Sequence, residues 1–340
     1  MAVERVVVIG LGLIGGSIAK ALQPHYEVWA FDSDPVVVHQ AKADGFAVGA
    51  TLTDAITMGS LVVVATPVDA IDATFAELAD VCDALGDRRG VLITDVCSVK
   101  ASVVGNASQW GLRFIGGHPM AGNEHHGYRA ATDSLFSGAR WALALSDDTD
   151  LDDWFAVAAL VAQMGATATP VGADAHDRAV AAISHLPHVL ASGLASVTNG
   201  PDGDLMIGLA AGSFRDGTRV ARSSPQFWAS VLGDNGVNMI PLLRSMSEQF
   251  ASLAAELASG DATAVREYFL LGERERIRYE NRTAVSHTIA CADDADALDA
   301  LFDIGARGGS VTGHEIVARE PAGTQRRIHV RVPLPDTGAA

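Results

Sequence analysis

Val6-Val7-Val8-Ile9-Gly10-Leu11-Gly12-Leu13-Ile14-Gly15 is the stretch that decides the fold. Four β-branched residues in a row read as a strand buried on both faces. Glycines 10, 12 and 15 fit G-x-G-x-x-G, and a helical pattern from Leu13 to Leu22, ended by Pro24, gives the motif its context. Gly10 permits a tight turn, Gly12 lets backbone approach a pyrophosphate, and Gly15 lets helix and strand pack closely. The helix start at Leu13 and Ile14 then offers free N–H groups to the phosphates. Asp32 ends the next strand, at the distance where an acid accepts bonds from a ribose hydroxyl. A carboxylate there repels a 2′-phosphate, so NAD rather than NADP is the expected cofactor. Thr66-Pro67 closes the strand Leu61–Ala65 and is expected at the same cofactor edge.

Outward from this turn, strands and helices alternate. Strands are expected at Tyr26–Phe31, Leu61–Ala65, Val91–Thr94, Leu112–Ile115, Trp141–Leu145 and Thr167–Val171. Helices are expected from Pro35, over Asp69–Leu85, after Ser98 and over Leu151–Met164. That order predicts an α/β architecture with a Rossmann-type, doubly wound parallel sheet. The texture changes near Gly172. Residues 173–285 read as an all-helical domain, and stretches such as His188–Val197 and Val237–Leu257 are apolar on more than one face. Such helices need burial, so a homodimer through this domain is expected. Residues 286–340 form a small β-α-β-β tail. The expected domains are therefore 1–172, 173–285 and 286–340.

The composition narrows the function classes. A chain of 340 residues suggests about two domains. Its charge of 24 − 41 = −17 makes nucleic acid or an anionic membrane surface a poor partner. Three cysteines (Cys82, Cys97, Cys291) make no disulfide framework, which suits a reducing compartment. No span is expected to reach bilayer length, and the N-terminus lacks a signal-peptide pattern, so a cytoplasmic protein is expected.

Two polar blocks follow the late strands of the first half. Asp95-Val96-Cys97-Ser98-Val99-Lys100 follows one, and Gly116-Gly117-His118-Pro119-Met120-Ala121-Gly122-Asn123-Glu124 the next. Both are expected at the nicotinamide end. A histidine between a glycine pair and a proline suits a fixed imidazole better than core packing, and imidazole titrates near neutrality. A second set lies in the helical half: His176, then Ser184-His185-Leu186-Pro187-His188, then Asp216-Gly217-Thr218-Arg219 and Ser223 to Trp228. His185 and His188 share a helix face, but no third ligand stands at metal spacing, so no metal is expected. Arg219 has the two-pronged geometry to grip a carboxylate; an ion pair with Asp216 is the plainer alternative.

These blocks together resemble the prephenate/arogenate dehydrogenase family of tyrosine biosynthesis. The resemblance covers residues 3 to about 280 and rests on GLGLIGGS, TDVCSVK, GGHPMAGNE, SHLPH and DGTRVARSSPQFW. It implies oxidation of prephenate or arogenate with loss of carbon dioxide. It implies that His118 takes the ring hydroxyl's proton, with Ser98 orienting that histidine or the hydroxyl. It implies that Arg219 holds the ring carboxylate and that His188 lies near the pyruvyl carbonyl. Glu124 and Asp216 would join Arg219 in an ionic network at the entrance, with His176, His185 and Trp228 around the substrate. The chain departs from the family pattern in three ways. No acid stands between Ser224 and Pro225, Cys97 sits where glycine is common, and the tail is shorter than a full ACT module. His125-His126-Gly127 lacks the acid found there in plant relatives, which tilts the expectation from arogenate to prephenate. A β-hydroxyacid dehydrogenase would carry a catalytic lysine in its helical domain, and 174–280 contains none. A non-catalytic NAD-binding sensor needs the glycine turn but not the histidine, serine and arginine set.

Overall fold

The structure is a computed structural model and describes residues 3, 5–122, 125–320 and 323–334. Strands β1 (Arg5–Ile9), β2 (Glu27–Phe31), β3 (Ala47–Val48), β4 (Leu61–Val64), β5 (Leu92–Asp95) and β6 (Phe114–Ile115) form a six-stranded sheet. Its order is β3-β2-β1-β4-β5-β6 and every pairing is parallel. β1 is apolar throughout because both its faces are covered. Val6 and Val8 pack with helix Leu13–Leu22, while Val7 and Ile9 pack with helices Ile71–Ala84 and Ala101–Gln109. The strand order reverses between β1 and β4, so a crevice opens where Gly10 and Thr66 leave the sheet.

The remaining strands depart from the single sheet expected from the sequence. β7 (Gly117–Pro119), β8 (Arg140–Ala144) and β9 (Thr167–Val171) join β10 (Ala284–Cys291), β11 (Ser310–Glu320) and β12 (Gly323–Pro333) in a second sheet, ordered β10-β12-β11-β9-β8-β7. The β-α-β-β tail thus extends strands from the first half instead of standing as a unit of its own. Its helix Asp294–Ala306 comes so close to β9 that a Cβ on Gly305 would lie 2.1 Å from the Pro170 carbonyl oxygen. Leu301, Ile304 and Ile328 belong to the same core as Trp154 and Leu160.

β7 falls where a polar loop was expected. Strand β5 ends in Asp95, whose buried carboxylate accepts the Gly117 N–H at 2.9 Å, and His118 then pairs with Ala142 on β8. A side chain at 117 would collide with the Asp95 carbonyl oxygen at 2.6 Å, so this junction needs glycine.

The helical half contains Ala173–Ser196, Pro225–Asp234, Gly236–Ser259 and Ala262–Glu280. Helix Ala173–Ser196 corrects one expectation. At 24 residues and mean hydropathy 1.2 it has the length and composition to cross a bilayer. It nevertheless carries buried His176 and Asp177 toward the first half and buries His185 against Asn235 and Trp228, and its apolar residues belong to a broader pattern. Val197, Leu205, Ile207, Leu209, Val237 and Phe269 are all exposed on this half. Apolar surface on that scale marks an association face.

Candidate active site

A cleft of about 1050 Å³ runs from the glycine turn to the helical half. Gly10, Gly12, Leu13, Ile14, Gly15, Asp32, Thr66 and Pro67 line one end, so the chain brings together all eight positions expected to hold a cofactor. Gly10 takes φ +87°, and a Cβ on Gly15 would lie 1.9 Å from the Gly10 carbonyl oxygen. A Cβ on Gly12 would meet nothing within 4 Å, so the space over the turn is open. Asp32 is fixed by the N–H of Leu11, which donates to Oδ2 at 2.6 Å, and that of Asp34, which donates to Oδ1 at 2.8 Å. The Thr66 hydroxyl oxygen is buried without a hydrogen-bond partner, which suits a group that completes its bonding from the cleft.

The middle of the cleft is built from the ends of β5 and β7. Asp95 accepts from Cys97 N–H at 2.8 Å and is ion-paired with Lys100, both side chains fully buried. This pair holds the Cys97-Ser98 turn against β7. Ser98 and His118 line the cleft there. Lys100 is committed to Asp95 and leaves no charge for a substrate. Burial drives the Cys97 thiol pKa upward, so it stays protonated.

Behind His118 runs a buried chain of hydrogen bonds. His118 Nδ1 lies 2.9 Å from His176 Nε2, and His176 Nδ1 lies 2.8 Å from Asp177 Oδ1. Asp177 also accepts the N–H of Lys100 at 2.7 Å and of Ala101 at 2.9 Å. These are orphan donors at the start of helix Ala101–Gln109, which has no capping side chain of its own. Burial holds His118 well below the ordinary imidazole range, and the nearby His176, Lys100 and His185 push it the same way. Burial also lowers His176, only partly offset by Asp177. Burial pushes Asp177 up, but bonds from His176 and the two backbone N–H groups outweigh it and hold the carboxyl low.

The helical half supplies the far wall. Helix Ala173–Ser196 contains a π turn at Ala181–His185, where the Leu186 N–H reaches back five residues to the Ala181 carbonyl. Pro187 follows immediately and has no N–H to give, so the wider turn fits the sequence. His185 and His188 do share a face, because both rings meet Trp228. His185 meets it edge-on at 5.6 Å between ring centres, and His188 lies against it at 4.0 Å. Their surroundings differ. His185 is fully buried beside Asn235 Nδ2 at 3.1 Å, and burial brings its pKa down to about 4. His188 donates from Nδ1 to the Ser184 carbonyl at 2.8 Å and lines the cleft with Ser184, Arg219 and Trp228.

His118 from the nucleotide half and Arg219 from the helical half therefore face one cleft within one chain. His176 does not line it but stands behind His118, and His185 stands behind Trp228. Asp216 is off the cleft wall and pairs with Arg215 at 3.2 Å, on the exposed surface, instead of with Arg219. Glu124 lies outside the described residues. Among the described residues no cluster of His, Cys, Asp or Glu forms a metal site. The sequence reading missed Asp177 and Asn235. The only local signal was that Asp177 adjoins His176, and nothing short-range reveals that both reach back to residues 100–118.

Residues 18–169 match the family described as prephenate dehydrogenase, nucleotide-binding domain, and residues 172–271 match prephenate dehydrogenase, dimerization domain. The chain is 32% identical over 282 residues to the prephenate dehydrogenase of Bacillus subtilis (strain 168), covering 78% of this chain and 73% of that one. It is 30% identical over 285 residues to the cyclohexadienyl dehydrogenase of Zymomonas mobilis, covering 81% and 95%. A crystal structure from Corynebacterium glutamicum, provisionally named a prephenate dehydrogenase, superposes with a TM-score of 0.79 at 29% identity. That likeness covers 90% of this chain and 98% of that one, and so extends into the tail.

Proposed function

Because the chain belongs to the prephenate dehydrogenase family, we propose that it oxidises prephenate with NAD⁺, releasing carbon dioxide and 4-hydroxyphenylpyruvate. It is an NAD-dependent dehydrogenase of tyrosine biosynthesis. The observation that carries the finer reading is that His118 and Arg219 line the same cleft, the one that starts at the glycine turn.

The residues at the turn suit the cofactor. The open space above Gly12, the unpartnered Thr66 hydroxyl and the carboxylate of Asp32 match a pyrophosphate, a polar nucleotide edge and a ribose. NAD⁺, when bound, supplies the hydride acceptor. The N–H groups at Leu13 and Ile14 would hold its phosphates, and Asp32 would accept from the ribose.

At the other end His118 Nδ1 is engaged by His176, which leaves Nε2 to meet the ring hydroxyl and take its proton as hydride departs. Ser98, on the cleft wall, is left to bond the hydroxyl, since His118 is already oriented from behind. Arg219 grips the ring carboxylate. Loss of carbon dioxide makes the ring aromatic, so the protein need supply only orientation, a base and local charge. A chain of charge −17 repels a dianion at long range, which makes the local cation at Arg219 important. Arg219→Ala is expected to raise KM at least tenfold, the loss of about 1.5–3 kcal/mol for a charged hydrogen bond, with a smaller change in kcat. Steady-state kinetics on prephenate measure it, and an unchanged KM puts the grip elsewhere.

Prephenate is favoured over arogenate by the polarity of the substrate end. Trp228 Nε1 is a buried donor without a partner, and the Trp228 side chain stands beside His188, both residues lining the cleft. A keto oxygen accepts from such a donor, whereas an ammonium cannot. Among the described residues the cleft carboxylates are Asp32 and Glu77, and Asp32 belongs to the glycine-turn end. An unsatisfied buried donor costs about 1–3 kcal/mol, so kcat/KM is expected to favour prephenate by roughly ten- to a hundredfold. NADH absorbance with each substrate in turn tests this. Equal rates, or a preference for arogenate, reverse the substrate assignment, and no turnover with either returns the chain to a binding role.

The working unit is a homodimer through the helical half. The match of 172–271 to a dimerization domain and the exposed apolar residues there support it. Buried, free Cys82, Cys97 and Cys291 suit the reducing cytoplasm.

A further inference from the structure

We propose that His176 and Asp177 are positioning residues that fix which nitrogen of His118 carries its proton. The inference rests on His118 being the base of the proposed reaction, and it identifies what makes it one. Ionised Asp177 can only accept, so the proton between it and His176 sits on His176 Nδ1. In the neutral ring His176 Nε2 is then a bare acceptor. His118 must therefore donate across their 2.9 Å contact from Nδ1. Its Nε2 is left with a lone pair. A neutral imidazole free in solution uses both tautomers, and one of them has no basic nitrogen at Nε2.

The carboxylate that starts this chain is itself fixed. Its Oδ1 takes the Lys100 N–H and its Oδ2 the Ala101 N–H, at the start of helix Ala101–Gln109. Those bonds keep it ionised and prevent it from turning away from His176. The other ionisable neighbours do not compete for His118 Nδ1. Lys100 is ion-paired with Asp95. Asn235 Nδ2 donates to His185 Nδ1. Asp234 bonds Ser102.

The arrangement also handles the charge. When the substrate O–H breaks, the N–H bond forms at His118 Nε2 and the ring becomes a cation. Nδ1–H goes on donating to His176, whose own N–H faces the negative Asp177. No proton needs to reach Asp177, because its two backbone donors make it a poor base. The same proton returns to the phenol oxygen once the ring is aromatic. Asp177 comes from the helical half while His118 comes from β7, so the tautomer is set only when the two halves are docked.

The test uses the whole enzyme with ¹⁵N-labelled histidine. The His118 signals, assigned by their loss in His118→Asn, are expected to show a protonated Nδ1 and a bare Nε2 without any substrate present. The reverse pattern overturns the proposal whether or not the protein turns over prephenate, so it is separable from failure of the functional reading. Kinetics give a second arm. His176→Leu removes the acceptor and is expected to lower kcat by roughly 10²-fold with KM changed less than about threefold. His176→Gln places an amide oxygen near the lost Nε2 and is expected to keep kcat within about tenfold of the parent. Equal losses in the two variants mean that His176 only fills space, and the proposal fails.

Discussion

Replacing His118 by asparagine is expected to cut kcat by about 10²–10⁴-fold while the Kd for NAD⁺ changes less than about threefold. The size follows from removing the base that the proposed reaction uses. His188 also lines the cleft, but on the helical wall, where its ring lies against Trp228. Cofactor affinity should survive, because His118 belongs to β7 and β8 pairing and not to the glycine turn. Single-turnover kinetics and a fluorescence titration with NADH separate the two quantities, and loss of cofactor binding instead of turnover contradicts the role. The parent enzyme carries the matching pH signature. Burial lowers His118, so its neutral, basic form persists below the ordinary imidazole pKa. The activity kcat/KM is therefore expected to rise with pH through a midpoint below about 6.5 and to be level at neutral pH. A midpoint above that value means that a different base is titrating.

The second large effect belongs to the glycine turn, where neighbouring glycines serve different ends. At Gly15 an added methyl would sit 1.9 Å from the Gly10 carbonyl oxygen and 2.9 Å from Ala65 Cβ. The first of these is backbone and cannot rotate away, so helix Leu13–Leu22 must lift from β1. Overpacking of this kind costs about 1–3 kcal/mol or more, and at about 2–4 °C per kcal/mol Gly15→Ala is expected to lower Tm by roughly 5–10 °C. It also spoils the turn, and NAD⁺ affinity falls with it. At Gly12 the same methyl meets open space. Gly12→Ala is expected to leave Tm almost unchanged and still to weaken NAD⁺ binding at least about tenfold, because the methyl enters the space a pyrophosphate would occupy. Differential scanning fluorimetry and NADH titration on the pair read this out. If both variants lose Tm equally, the space over Gly12 is not a ligand's.

The contrast between these two glycines also marks what short-range reasoning can reach. The motif alone assigns Gly10, Gly12 and Gly15 their roles, because a tight turn and a close approach are properties of a few consecutive residues. The same holds for helix Leu13–Leu22 and strand Thr167–Val171, whose bounds follow from apolar period and from breakers beside them. His118 is legible because glycines and a proline around a histidine are a local oddity. Its support is not. His176 reads as one more residue near a substrate, and Asp177 reads as nothing, until the fold carries them across some sixty positions of chain to His118. Lys100 likewise looks like an available cation until its full burial against Asp95 is seen.

Local chemistry therefore determined the dinucleotide turn, the alternation of strand and helix, and which imidazole and guanidinium to look for on the cleft that both line. Tertiary structure alone decided that β7, β8 and β9 form a second sheet in which β9 pairs with β11 of a tail more than a hundred residues further on, and that Asp177 stands behind His118. The physical reason is the same for both. A strand edge or a buried carboxylate is satisfied by whichever partner the whole chain's packing delivers, and that partner has no fixed spacing in the sequence.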